Sequence, residues 1–119
     1  VFDIVCAHPK VRGILHSYSG SAEQAKEYVR RGYYISFSGS LTFKNASKLL
    51  EAAKVVPADK FLVETDCPYL APVPMRGKMN HSGYIHYTAE KAAELLGMDY
   101  EAFCEQEVRN AKEIFGINE

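Results

Sequence analysis

Two side chains whose chemistry suits a divalent cation, His16 and Asp66, each occur where a short apolar run gives way to polar residues. Imidazole nitrogen and carboxylate oxygen are both good ligands for such an ion. An ionised Asp66 could also orient an attacking water molecule or accept its proton. The pair is a candidate metal-binding site at which Asp66 could serve a hydrolytic reaction. The alternatives are a hydrogen-bonded structural histidine and an aspartate that caps a turn.

Glu64 lies two residues before Asp66, so in a strand both side chains point to the same side. In a barrel that side is the packed interior, where a carboxylate needs a partner. We expect Glu64 to form an ion pair or a hydrogen bond there. In that position it could also orient the metal ligands without binding the metal itself.

A compact basic cluster, Arg76, Lys78 and Asn80, lies in the long segment 67–87, which is rich in proline and glycine. Arg76 could hold a phosphate through two parallel hydrogen bonds, Lys78 as a point charge and Asn80 through its amide. Three nearby tyrosines could stack on nucleic-acid bases; they are Tyr69, Tyr84 and Tyr87. These are candidate substrate-binding residues, and a solvated turn with ordinary surface tyrosines is the alternative.

The three cysteines, Cys6, Cys67 and Cys104, are scattered and form no C-x-x-C pair. This spacing predicts neither a disulfide framework nor a structural zinc site, and a reducing cytoplasm is the expected location. A thiol nucleophile at Cys67 with His16 as its base is less favoured, because Pro68 indicates a backbone role for this turn.

Three apolar and aromatic runs predict the strands that position these residues, at 14–18, 33–37 and 61–65. Strand and helix patterns that alternate in this way predict an α/β fold with about three parallel strands and flanking helices. Three strands alone make a poor parallel sheet, because both faces need cover and the outer strands leave backbone groups unpaired. We therefore expect the C-terminal part of a TIM (β/α)8 barrel, an incomplete barrel whose free strand edges favour self-association.

Capping residues predict where the helices begin and end. Ser21 has the spacing of a capping box with Gln24, and Asp99 is placed to cap the last helix. Thr42 or Asn45 is expected to cap the second helix and Thr88 the third. The last helix is expected to bury the face that carries Cys104, Val108, Ala111 and Phe115.

Length and composition bound the remaining possibilities. The chain has 119 residues, of which 47% are hydrophobic and 24% charged, and its formal net charge is -1. These values fit one globular segment, 1–119, and exclude a nucleic-acid binder that works by bulk positive charge. No apolar run is long enough to span a membrane. Because the chain begins at Val1 rather than at methionine, we expect it to come from the interior of a longer protein.

Three motifs carry a family resemblance: H-S-Y-S-G from His16, E-T-D-C-P-Y-L from Glu64 and R-G-K from Arg76. Together they closely resemble the TatD family of metal-dependent deoxyribonucleases, which have an amidohydrolase-type barrel, and the resemblance covers the chain from Gly13 onward. It implies that His16 ligates a metal at the end of the sixth barrel strand. It also implies that Asp66, after the eighth strand, binds metal and orients the attacking water.

The same resemblance implies one or two divalent ions (Mg, Mn or Zn) and DNA as the substrate, with Arg76, Lys78 and Asn80 in the loop on the substrate side. The family's first-strand H-x-H pair, mid-barrel glutamate and fifth-strand histidine have no counterpart in this sequence. We therefore expect the isolated chain to lack a complete active site. The alternative functions are hydrolysis of small esters or amides, and a non-catalytic fragment that self-associates.

Overall fold

Three short strands form a parallel sheet at the centre of the fold, and a computed structural model describes residues 2–117. The strands are β1 (Ile14–Leu15), β2 (Tyr34–Phe37) and β3 (Phe61–Val63), in the spatial order β1-β2-β3. Ile35 of β2 lies opposite Leu15 on one side and Phe61 on the other. The predicted α/β architecture with three parallel strands is therefore confirmed.

The strands β1 and β3 are shorter than predicted, because the backbone leaves the extended conformation soon after each one. Ser17 has φ 49 and Asp66 has φ 55, which place both residues in the left-handed region. A non-glycine residue pays a conformational cost there, and such residues cluster at functional sites. Asp66 is itself a candidate metal ligand, and Ser17 directly follows the other one, His16.

Five helices surround the sheet within residues 2–117: α1 (Phe2–Ala7), α2 (Ala22–Arg30), α3 (Ser47–Val55), α4 (Ile85–Leu96) and α5 (Tyr100–Phe115). Short 3-10 turns occur at Gly39–Thr42, Ala58–Lys60 and Ser82–Tyr84. None of these helices combines the length and the apolar character needed to cross a bilayer.

Two of the predicted helix caps are present. The Ser21 hydroxyl accepts a hydrogen bond from the Gln24 backbone N–H at 3.2 Å, and the Asp99 carboxylate accepts one from Ala102 at 3.3 Å. Each satisfies a backbone donor that the first helical turn leaves free.

The other two predicted caps are wrong. The N-cap of α3 is Ala46, which offers no side-chain acceptor, rather than Thr42 or Asn45. The Thr42 hydroxyl instead donates to the Gly39 carbonyl and accepts from the Val73 N–H, which ties the 3-10 turn to the long loop. Thr88 lies inside α4 and is buried, because the helix begins three residues earlier at Ile85.

The core lies between the sheet and the helices, and all four residues of β2 are buried. The rings of Phe37 and Phe61 stack at 4.8 Å, and Phe103 of α5 meets Phe61 edge-on at 5.8 Å. Burial on both faces of the central strand is the pattern expected of a parallel sheet.

The face of α5 that packs inward differs from the predicted one. Phe103 and Asn110 are its buried residues, whereas Val108 is 54% and Phe115 66% exposed. The Asn110 amide donates to the carbonyls of Ala58 at 2.8 Å and Phe61 at 2.7 Å, just where the chain enters β3. These two bonds turn the polar residue, rather than the Val108 side, towards the sheet.

Candidate metal centre

His16 directly follows β1, at the carboxyl end of the sheet. The Tyr18 N–H donates to the Ser36 carbonyl at 2.9 Å, so the turn that carries His16 stays attached to β2. The His16 side chain is 71% exposed and therefore open to a ligand.

Glu64 holds the imidazole of His16 in place. One carboxylate oxygen, Oε1, lies 2.9 Å from His16 Nδ1, and the other, Oε2, accepts from the Ser17 N–H at 2.9 Å. An ionised carboxylate only accepts, so Nδ1 carries the proton and Nε2 keeps its lone pair free for a metal. A carboxylate that fixes a ligating histidine in this way is a common feature of metal sites.

Asp66 completes a group of three potential ligands. Its Oδ1 lies 3.9 Å from His16 Nδ1, and His16, Glu64 and Asp66 each offer a ligand atom within 4.8 Å of the other two. Metal–ligand bonds of about 2.1 Å allow ligand atoms on one ion to lie up to about 4.2 Å apart. The Asp66 carboxylate and the His16 imidazole supply the oxygen and nitrogen donors that divalent cations take in proteins. These two side chains therefore fit such an ion, with Glu64 holding the imidazole in place.

The loop that carries Asp66 is held by Asn80, a predicted substrate-binding residue. Asn80 is 3% exposed, and its amide nitrogen donates to the carbonyls of Thr65 and Tyr69, both at 2.7 Å. Its backbone N–H donates to the Pro68 carbonyl at 3.0 Å. Both amide hydrogens are thus used within the chain, where they fix the backbone on either side of Asp66.

Arg76 and Lys78, the other two predicted substrate-binding residues, lie exposed in the same loop. The Arg76 guanidinium stacks over the ring of Phe43, 3.9 Å from its centroid. Phe43 directly follows the 3-10 turn after β2, so the contact anchors Arg76 near the strand ends. Arg76 and Lys78 both line a cavity of about 360 Å³ that also includes the exposed Tyr69.

Two histidines near the long loop take structural positions. His81 Nδ1 accepts from the Gly83 N–H at 3.1 Å, which caps the short 3-10 turn before α4. His86 Nδ1 lies 2.9 Å from the Gly83 carbonyl. Cys67 is exposed and free, and Nδ1 of His16 is held by Glu64 rather than by its thiol.

Two features near the site escaped the sequence analysis. The hydroxyl of Ser38 lies 3.5 Å from that of Ser17 and 3.2 Å from that of Ser40, so three serines form a line along the strand ends. In addition, a Cβ atom on Gly39 would collide with the Leu70 carbonyl, so the long loop passes directly over the end of β2. The S-F-S-G-S stretch at 36–40 is the sequence signal for both.

The fold and the site together define a class of protein. A parallel sheet with imidazole and carboxylate groups at the carboxyl ends of its strands is typical of barrel-type α/β proteins, whose active sites lie at that edge. Comparison with known proteins narrows the class. The family model of TatD-related DNases matches residues 2–116, and the chain belongs to that family.

Curated relatives match most of this chain but less than half of their own length. The chain is 48% identical over 108 residues to YabD of Bacillus subtilis strain 168, named an uncharacterized metal-dependent hydrolase, covering 91% of this chain and 42% of YabD. It is 44% identical over 106 residues to YcfH of Escherichia coli K12, which carries the same description, covering 89% of this chain and 40% of YcfH.

Solved structures also match nearly all of this chain but less than half of their own length. YjjV, a TatD homologue from Escherichia coli K12, superposes with a TM-score of 0.84 at 25% identity, covering 98% of this chain and 47% of that protein. A TatD-family hydrolase from Entamoeba histolytica shares the fold, with a TM-score of 0.77 at 19% identity, covering 94% of this chain and 44% of that one. The prediction of a partial barrel is thereby confirmed.

Proposed function

We propose that this chain supplies part of the active site of a metal-dependent deoxyribonuclease, which hydrolyses phosphodiester bonds in DNA. One observation carries the proposal: His16, Glu64 and Asp66 offer ligand atoms within 4.8 Å of one another at the carboxyl edge of the sheet. Membership of a family described as TatD-related DNases, and relatives named metal-dependent hydrolases, support the same activity.

Each residue of the group has a distinct task in the proposed reaction. His16 Nε2 and an Asp66 oxygen would hold the ion, while Glu64 keeps the imidazole oriented through its contact with Nδ1. A divalent ion held by these residues would act as a Lewis acid towards the phosphoryl oxygen and would make the attacking water more acidic. Asp66 orients the attacking water and accepts its proton.

Arg76 and Lys78 bind the substrate in this proposal. Both are cationic, exposed and on the loop that Asn80 ties to the residues flanking Asp66. Arg76 pairs with a phosphate through parallel hydrogen bonds, and Lys78 adds a point charge. Asn80 acts by holding the loop, since its amide hydrogens already bond Thr65 and Tyr69.

The ligands on this chain form part of a site whose remainder lies elsewhere in the barrel. The chain spans about 42% of YabD and 40% of YcfH. We therefore propose that the isolated chain binds a divalent ion but is inactive or weakly active, and that turnover needs the complete barrel.

Metal titration of the purified chain tests the proposal directly. Calorimetry with Mn²⁺, Mg²⁺ and Zn²⁺ should show binding that His16→Ala and Asp66→Asn each abolish, with His86→Ala as a matched control outside the site. Unchanged binding in the first two variants would refute the site. Vigorous DNA hydrolysis by the contaminant-free chain would refute the claim that the site is incomplete.

A hydrolase of small esters or amides is the second candidate, because the same metal group could serve either substrate. In a complete barrel, the Arg76→Ala/Lys78→Ala double variant distinguishes the two. Loss of DNA cleavage with retained cleavage of a small ester supports the nuclease. Equal activity on DNA before and after the change supports the alternative.

Self-association is a further proposal, supported by the sheet: within residues 2–117, β1 and β3 each pair with a neighbour on one side only. Unpaired strand edges favour pairing with another chain. Light scattering should give a mass above that of one chain, and a clean monomer would argue against edge pairing.

The three free cysteines support the proposed cytoplasmic location.

A further inference from the structure

A cleft of about 270 Å³ opens at the start of α3, and its lining includes Ser19, three residues after His16. Its walls come from three separate parts of the chain: Ser19 after β1, the segment Ser40 to Leu49, and Arg76 from the long loop. None of the eight residues that line it carries a carboxylate. The cleft therefore differs in charge from a second cavity of about 420 Å³, whose lining includes Glu90 and Glu94 as well as Lys91.

Two cations face this cleft without a counter-charge. Lys48, on the first turn of α3, and Arg76 both line it, and within residues 2–117 no carboxylate oxygen lies within 4.0 Å of either. A lysine at a helix N-terminus faces the positive end of the helix dipole, which is unfavourable unless an anion lies nearby. The N-cap Ala46 offers no side-chain acceptor to the first turn, which leaves backbone N–H groups available as well.

The cleft also has an apolar wall formed by Phe43 and Leu49. Arg76 stacks on one face of the Phe43 ring at 3.9 Å, which fixes this cation at the wall of the cleft. Cations beside a flat apolar wall suit a ligand that joins a phosphate to a planar ring, as a nucleotide does.

The serine line connects the cleft to the metal centre. Ser40 lines the cleft, and its hydroxyl lies 3.2 Å from that of Ser38, which in turn lies 3.5 Å from that of Ser17. Ser17 is the residue after His16 and donates its N–H to Glu64. The cleft thus lies two hydroxyl contacts from the turn that carries His16, so adjacent nucleotides of one strand can reach both places.

We propose that this cleft binds the nucleotide adjacent to the scissile phosphodiester, with its phosphate between Lys48 and Arg76 and its base against Leu49 and the part of the Phe43 ring that lines the cleft beside Arg76. The inference rests on the proposed nuclease function and adds Lys48 and Phe43 to the residues that contact DNA. Lys48 then acts as a binding residue that fixes the register of the strand.

Binding of a short, fluorescently labelled single-stranded oligodeoxynucleotide tests the inference, measured by anisotropy across a salt series. Each phosphate contact on a single strand contributes about 0.7 to the slope of log K against log salt. Lys48→Ala should weaken binding several-fold and reduce the slope by about 0.7. Lys54→Ala, which removes an exposed lysine from the last turn of the same helix, should change neither quantity.

A second variant tests the base contact. Phe43→Leu keeps an apolar side chain but removes the ring, and should weaken binding about tenfold, within the range for loss of a base stack. The same variant should bind a strand with an abasic nucleotide at this position as well as the unchanged chain does. Circular dichroism of each variant should match the unchanged chain.

The outcomes separate the two proposals. If Lys48→Ala and Phe43→Leu leave affinity and salt slope unchanged while Arg76→Ala weakens binding, the cleft assignment is wrong and the nuclease proposal stands. If the unchanged chain binds no oligonucleotide with the metal present, the cleft assignment fails, and the nuclease proposal is decided by the metal titration and by the complete barrel. A Lys54→Ala effect equal to that of Lys48→Ala would show diffuse electrostatics and would also overturn the cleft.

Discussion

Glu107 on α5 should make the stability of this fold fall as pH rises. Its Oε1 atom is buried without a hydrogen-bond partner, and Oε2 has only a long contact of 3.4 Å from the Asn110 amide. Burial disfavours the charged form and raises the pKa of Glu107 from 4.5 to about 8, while the Asn110 hydrogen bond acts weakly in the opposite direction.

Proton linkage gives the sign and the size of this change in the free energy of unfolding. Between about pH 4.5 and 8 the folded chain keeps a proton on Glu107 that the unfolded chain releases, so the free energy of unfolding declines across this window. At about 1.4 kcal/mol per pKa unit, the loss approaches roughly 3 kcal/mol at pH 7 and is complete above about pH 8. Below pH 4.5 both states are protonated and the penalty disappears.

Urea unfolding of the Glu107→Gln variant isolates this contribution. The glutamine stays neutral, so the variant should match the unchanged chain near pH 4.5 and exceed it by roughly 3 kcal/mol at pH 7. Glu105→Gln, which changes an exposed neighbour on the same helix, should leave the difference between the two pH values unaltered. Parallel stability profiles for Glu107→Gln and the unchanged chain would refute the reasoning.

Three further changes test the contacts around the metal centre. Glu64→Gln should weaken divalent-metal binding about 10- to 100-fold by calorimetry, because the amide orients the His16 imidazole poorly, and undiminished affinity would count against this role. Asn80→Ala removes both hydrogen bonds that hold the Asp66 loop and should lower the free energy of unfolding by about 2 kcal/mol in urea titrations, whereas a loss below 0.5 kcal/mol would contradict it. Gly39→Ala places a methyl group against the Leu70 carbonyl and should cost about 1–3 kcal/mol in the same assay, and an unchanged midpoint would show that the loop yields easily.

The sheet and its parallel topology could be predicted because hydrophobic runs and helix caps are local signals. Ser21 and Asp99 cap their helices through contacts within three residues, which the sequence displays directly. Thr42 failed as a cap because its hydroxyl bonds Val73, thirty-one positions away. The inward face of α5 failed for the same reason, since Asn110 reaches carbonyls near β3 that no local pattern indicates.

The candidate site could likewise be predicted from the sequence only in part. Residue chemistry at the ends of two apolar runs, together with the motif resemblance, pointed to His16 and Asp66. Parity along a strand then placed Glu64 on the same side as Asp66. The way Glu64 divides its oxygens between His16 and Ser17 depends on the left-handed turn at Ser17, which spacing does not reveal. Lys48 gave no signal either, because its position becomes informative only once Arg76 lies across the same cleft.

Glu64 also explains how a partial barrel can keep its ligands together. Its side chain bonds the turn after β1, and its backbone N–H donates to the Phe37 carbonyl at 2.9 Å, at the end of β2. One residue thus joins the ends of all three strands at the edge where His16 and Asp66 lie. Because these bonds are internal to the chain, the geometry of the two ligands does not depend on further strands. Metal binding and turnover should therefore be separable, with the first retained by this chain and the second requiring the complete barrel.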